Sequence, residues 1–97
     1  MKQLEFEWDT SKSTSNKKKH GVSFEEAQTA FSDPNARLIS DPDHSDDEDR
    51  FILLGMSEQL RILVVCHCYR ESDTEIRIFS ARRAKRTEIK SYEEHLS

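Results

Sequence analysis

Three groups of residues have the types and spacing for chemistry on a phosphate. The first lies near the carboxyl end. Arg77, Arg82, Arg83, Lys85, Arg86 and Lys90 stand against one acid, Glu88, a local charge of +5 within residues 77–90. The second is Lys12, Lys17, Lys18 and Lys19, a further +4 within residues 12–20. There, Lys12, Asn16, Lys19 and His20 fall at i, i+4, i+7 and i+8, one face of a helix and a spacing that is normally apolar. Such a face either touches something polar or lays its Lys stems over an apolar neighbour. The third group depends on strand register. If one hairpin pairs Tyr69 with Glu75 and the preceding one pairs Met56 with Leu60, then His67 lies opposite both Arg77 and Asp49. His67, Tyr69, Arg77 and Asp49 would then share one end of one sheet face. A slip of one residue destroys that grouping, and a histidine there could equally make a structural hydrogen bond.

These cations sit in a chain whose total charge is negative. In 97 residues, 15 Lys and Arg face 19 Asp and Glu, a net charge of -4. Six of the acids fall within residues 41–49, a segment without a cation. Charges farther apart than about 10 Å are largely screened, so a basic surface attracts phosphate whatever the total. The alternative is that each basic run is a solvated helix face.

The elements that must position these residues can be read from pattern. Leu4, Phe6 and Trp8 alternate with acids, as a short strand does. Asp9 or Thr10 can cap a helix over residues 10–20, which contains no apolar residue but ends on Lys17-Lys18-Lys19-His20 and a stop at Gly21. Ser23 and Glu26 have capping-box spacing, and Phe24, Ala27 and Phe31 share the face of a second helix that runs to about Ser32. Asp33-Pro34-Asn35 breaks it. Strands follow at about 36–40, 50–56, 60–69 and 75–81, with hairpin turns at 57–59 and 70–74, and a terminal helix over 82–96. The expected architecture is a single α+β domain: an antiparallel sheet, two N-terminal helices and one C-terminal helix, with helices covering both sheet faces.

Several classes are excluded. No apolar run of about 18 residues is available to cross a membrane, and residues 1–7 lack the apolar region of a signal peptide. Leu, Ile, Val and Phe number 21 of 97, near the line of roughly 20% below which disorder is expected. Most of the aliphatic residues nevertheless cluster in three strand-like runs, which suits a small core of modest stability. Cys66 and Cys68 point the same way from one strand and are poorly placed to bond each other. They read as reduced thiols, and Cys66-His67-Cys68 as a poor metal site.

Along its length the sequence resembles the BrnT-type toxins of bacterial toxin–antitoxin modules. The resemblance covers about residues 4–94. It is carried by Phe6-Glu7-Trp8-Asp9, Lys12, Asn16, the run Lys19 to Ala27, and Phe31-Ser32-Asp33-Pro34. It continues through Asp41, His44-Ser45, Glu48, Arg50, Gly55, Ser57, Arg77, Ser80-Ala81-Arg82-Arg83-Ala84, Glu88 and Tyr92. The departures are Thr10, where a Pro is usual, and Ser11, Ser13 and Ser15 in a helix usually richer in Ala.

The resemblance implies a RelE-like fold, a cytoplasmic RNA-cleaving toxin that arrests translation, and neutralisation by a cognate BrnA-type antitoxin in a hetero-oligomer. It also implies that operator DNA is met only through the complex with the antitoxin. Neither cofactor nor metal is implied. Metal-free cleavage can use the substrate's 2′-OH, with a base at that oxygen, an acid at the leaving oxygen and cations around the phosphorane. His67 is the first candidate for acid or base, with a pKa nearest neutrality, and His20 and Glu48 come next. Arg77 and Arg82 suit the phosphate, since a guanidinium can hold two oxygens at once. Lys12, Lys19, His20, Arg50 and Arg83 would bind the RNA backbone. The competing reading is a non-catalytic interaction module, an inactive homologue that serves as antitoxin partner in operon autoregulation. Direct DNA binding is weaker, because no helix-turn-helix is visible.

Overall fold

A computed structural model describes residues 3–40 and 50–96. The acidic segment 41–49, with Glu48 and Asp49, lies outside the described residues. In chain order the elements are β1 (Glu5–Glu7), α1 (Thr10–His20), α2 (Phe24–Thr29) continued by a 3-10 turn (Ala30–Ser32), β2 (Arg37–Ser40), β3 (Arg50–Met56), β4 (Ile62–Tyr69), β5 (Glu75–Arg83) and α3 (Arg86–Leu96).

Helix α1 has no apolar stripe, so its ends define it. The Asp9 carboxylate accepts from the Lys12 N–H at 3.1 Å. At the other end Gly21 adopts the left-handed conformation (φ 71°), and its N–H bonds the Lys17 carbonyl at 2.8 Å. The four basic residues of the last turn lie against the negative end of the helix dipole. Helix α2 is capped by Ser23, whose hydroxyl accepts from the Glu26 N–H at 3.0 Å. The Glu26 carboxylate does not complete the capping box. It turns into the protein, where it meets Arg61 and Ser57.

The strands form one mixed sheet in the order β1-β5-β4-β3-β2. Strands β2 to β5 are antiparallel, but β1 joins β5 in parallel, Phe6 beside Ile76. This corrects the all-antiparallel expectation: β1 returns to the sheet edge by way of both helices and three further strands, so hairpin reasoning does not apply to it. A second correction concerns Arg82 and Arg83. They end β5, and α3 begins only at Arg86.

One sheet face carries Leu53, Leu63, Val65, Ile76, Ile78 and Ala81, packed under Val22, Phe24, Ala27 and Ala30 of the α2 region. On the opposite face Tyr92 of α3 covers Leu54 and Val64, flanked by Ile52, Met56, Ile62 and Ala84. Gly55 permits the close approach of the 3-10 turn, since a Cβ there would lie 2.9 Å from the Ala30 carbonyl oxygen. Asp33 then ties three elements together. It accepts from the Met56 N–H at 2.8 Å and from the Tyr92 hydroxyl at 2.5 Å. Burial alone would raise the Asp33 carboxyl, but the bonds from Tyr92, Met56 and Asn35 together hold it below its ordinary value. Burial and the Asp33 charge push the Tyr92 hydroxyl up to about 12.

Helix α1 packs against β5, and Asn16 is the reason. This buried side chain donates to the Ala81 carbonyl at 2.8 Å and to the Val22 carbonyl at 2.9 Å. Its amide oxygen accepts from the Ala81 N–H at 3.1 Å. Strand β1 covers β5 only over Glu75–Arg77, and farther along the same strand Asn16 serves the backbone as a neighbouring strand would. Asn16→Ala leaves both polar groups of Ala81 buried and unpaired, at about 1–3 kcal/mol each. Urea denaturation is expected to show a loss of about 2–4 kcal/mol. A loss within about 0.5 kcal/mol would show that α1 is held by other contacts.

Candidate functional site

The register decides which expected site residues meet. Near the second hairpin Tyr69 pairs with Ile76, His67 with Ile78 and Cys68 with Arg77. On the other side of β4, Phe51 lies opposite His67 and Arg50 opposite Cys68. Paired residues point to the same side of a sheet. His67, Tyr69 and Arg77 therefore do not share a face: His67 and Tyr69 face α2, while Arg77 faces the side that carries α3, and Asp49 lies outside the described residues.

His67 is fully buried. Its ring meets Phe31 edge-on at 4.8 Å and Tyr69 at 5.4 Å, with Phe51 at 6.3 Å. Nδ1 bonds the Val65 carbonyl at 3.1 Å, and Nε2 has no partner. Burial holds the imidazole below its ordinary value, against the smaller opposing pull of the Val65 carbonyl. In this conformation the first candidate for proton transfer is a neutral core residue out of reach of a macromolecular substrate.

The carboxyl-end cations divide between positions. Arg77 reaches across to β1 and donates to Glu7 at 2.9 Å, in a largely exposed pair that Arg70 joins at 3.4 Å. Arg82 forks onto both oxygens of Glu88 in α3 at 2.8 and 2.9 Å. That hydrogen bonding holds the Glu88 carboxyl below its ordinary value. Arg83 is exposed, and by strand alternation from the buried Ala81 it sits on the α2 side. The +5 segment is thus not a single patch. Glu26 on that side is buried and paired with Arg61, whose hydrogen bonds hold it below its ordinary value despite burial.

A different set does converge. Lys12, Asn16, Lys19 and His20, with Ser11 and Ser15, line a groove closed on its far side by Phe79 and Ser80 of β5. The helical spacing of that face is the one read from sequence. Arg50 reaches the same place from β3: its guanidinium lies over the Phe79 ring at 4.1 Å, while the Lys12 ammonium lies 5.7 Å from the same ring. Arg77 shares the face, since Arg50, Cys68 and Arg77 form one row across β3, β4 and β5. Strands are spaced about 4.8 Å apart, which puts the two arginine backbones roughly 10 Å from each other.

Phe79 departs from the simple alternation expected of β5. The ladder shifts between Cys66 and His67, so that Ile78 pairs with His67 and Ser80 with Cys66 while Phe79 has no opposite number. Such a bulge re-aims a side chain and is common beside functional sites. Its signal was present: Ile76 and Ile78 keep a two-residue period, and the next core residue of the strand is Ala81, three positions on. Glu48 precedes Arg50 in the chain but lies outside the described residues. Among the described residues, no group of three or more His, Cys, Asp and Glu could hold a metal ion, and no helix is long and apolar enough to cross a membrane.

A family model described as "Ribonuclease toxin, BrnT, of type II toxin-antitoxin system" matches residues 8–88. Among solved structures the chain is similar to the ribonuclease toxin BrnT of Brucella abortus, known from a crystal structure at 1.1 Å resolution. The TM-score is 0.63 at 22% identity, over 87% of this chain and 100% of that one. At that identity the likeness speaks for the fold. No curated protein matches the chain.

The buried His67 makes stability depend on pH. Its folded pKa lies below the ordinary value of 6.5, so its contribution is complete above that pH and is lost as pH falls, because the unfolded chain takes up the proton first. The limiting slope is about 1.4 kcal/mol per pH unit. Denaturation midpoints should fall between pH 7 and 5.5, and His67→Phe should flatten that fall. An equal fall in the variant would mean that His67 is not the group responsible.

Proposed function

The chain belongs to the BrnT family of ribonuclease toxins of type II toxin–antitoxin systems, and we propose that it is a metal-independent endoribonuclease that inhibits translation. Its partner is a BrnA-type antitoxin, its compartment the cytoplasm and its fold RelE-like. Operator DNA is reached only through the toxin–antitoxin complex. The observation that carries the reading is the convergence of Lys12, Lys19 and His20 from α1 with Arg50 and Arg77 from the sheet.

On this surface Arg50 and Arg77 take the charge that develops on the phosphorane, each guanidinium able to hold two of its oxygens. Engaging a phosphate draws Arg77 from Glu7, at little cost because the pair is exposed. Lys12 and Lys19 hold flanking phosphates. The 2′-oxygen of the substrate attacks, its proton passes to a base, and an acid protonates the departing 5′-oxygen. With His67 in the core, His20 and Glu48 are the remaining candidates for those roles; His20 is half-buried at the groove wall. Arg82, clamped by Glu88, and Arg83, on the other side of the sheet, act less directly: Arg82 fastens α3 to β5.

Purified antitoxin-free protein should cleave single-stranded RNA in EDTA. Arg50→Ala and Arg77→Ala should each reduce the rate by about tenfold or more with the fold retained, as expected for loss of a charge-assisted phosphate contact. Arg82→Ala should lower thermal stability more than either. Full activity in both folded Arg50 and Arg77 variants would remove this face from the reaction. A folded wild-type protein that binds antitoxin but cuts no RNA would instead identify an interaction module.

A further inference from the structure

Phe79 has no structural employment equal to its size. It belongs to neither apolar cluster, is only half-buried, and stands at the one irregularity of the β4–β5 ladder. A phenylalanine that the core does not use forgoes most of its hydrophobic stabilisation. What surrounds it is polar and cationic: Arg50 and Lys12 over the ring, and Ser80, Ser15, Ser11, Lys19 and His20 along the groove.

We propose that Phe79 is a stacking platform for one base of single-stranded RNA, in a one-nucleotide subsite between α1 and the bulge of β5. The inference rests on the ribonuclease reading and names its substrate class. Proteins that hold single strands combine an aromatic ring, on which a base lies flat, with cations that follow the backbone. Both components are here within a few ångströms of each other. In the chain without RNA, Arg50 covers the ring. At this half-buried site a stacked base on the ring together with a phosphate for Arg50 replaces a single cation–ring contact, so the base takes the ring and Arg50 moves to the adjoining phosphate. Lys12 and Lys19 hold the phosphate on the helix side. The serine hydroxyls can donate or accept and so match any base edge, which makes the subsite tolerant of sequence. It is not tolerant of duplex: a base within an A-form helix is already stacked on both faces, and only an unstacked one can be splayed onto a protein ring.

The test is binding of a short RNA carrying 2′-O-methyl groups, which lacks the attacking hydroxyl, to wild type, Phe79→Leu and Phe79→Trp. Single-strand affinity should fall about tenfold or more in Phe79→Leu and be kept in Phe79→Trp, while the melting temperature of each variant stays near wild type because neither core cluster includes the ring. The same sequence as a duplex should bind more weakly and be indifferent to the substitutions. Wild-type affinity in Phe79→Leu, or equal losses in the leucine and tryptophan variants, would overturn the platform. The two readings fail separately. Wild type that binds the blocked strand but never cleaves the unblocked one removes the ribonuclease and leaves the platform. Cleavage with an unchanged KM in Phe79→Leu removes the platform and leaves the ribonuclease.

Discussion

The arrangement depends on one amide side chain. Strand β5 is longer than the strand that borders it, and beyond Arg77 its outer edge would expose backbone groups to no partner. Asn16 meets both polar groups of Ala81 and also the Val22 carbonyl. The residue is the right shape for this, since an amide offers an acceptor and two donors in one plane. A helix with no apolar residue in its sequence is thereby fixed to the sheet without a hydrophobic face. The polar residues around Asn16 are then placed rather than merely solvated: Lys12, Lys19 and His20 flank the anchor and so flank the bulge two residues before Ala81.

The two sheet faces have different duties. One is closed by the α2 region over the larger apolar cluster, with Glu26 and His67 built into it as buried polar groups. The other is shared. Helix α3 covers the half made by Leu54 and Val64, and the remaining half presents Arg50, Arg77 and Phe79. Arg82 and Glu88 stand at the boundary and fasten the helix to the strand. A net charge of -4 hides this division, because it averages over a segment of six acids and a surface of cations.

Local signals are legible in the sequence and distant ones are not. The limits of α1 followed from Asp9 and Gly21, and those of β3 from its apolar run, because caps and burial patterns act within a few residues. The face of α1 was legible from its spacing, but its anchor was not: Asn16 and Ala81 are 65 positions apart. Arg61 likewise lies 35 positions from its partner Glu26, so local spacing points the carboxylate to its own helix cap. The parallel entry of β1 has no hairpin to announce it. The third group of candidate residues failed through register. The hairpin pairs Tyr69 with Ile76 instead of Glu75, a slip of one residue that puts Arg77 on the opposite face from His67, and the bulge at Phe79 lies beyond those pairs. Arg82 and Arg83 read as the start of a helix because no glycine or proline separates them from α3.

The claim that joins these observations is that RNA meets the α1–β5 groove and the open half-face beside it. Titration of a 2′-O-methyl single strand into isotope-labelled protein, followed by amide chemical shifts, locates the contact directly. Shifts are expected at residues 12–20, at Arg50 and over residues 77–80, with the α2 region and the 57–61 turn unmoved. Shifts confined to the α2 region or to the exposed edge of β2, with residues 77–80 silent, would contradict it.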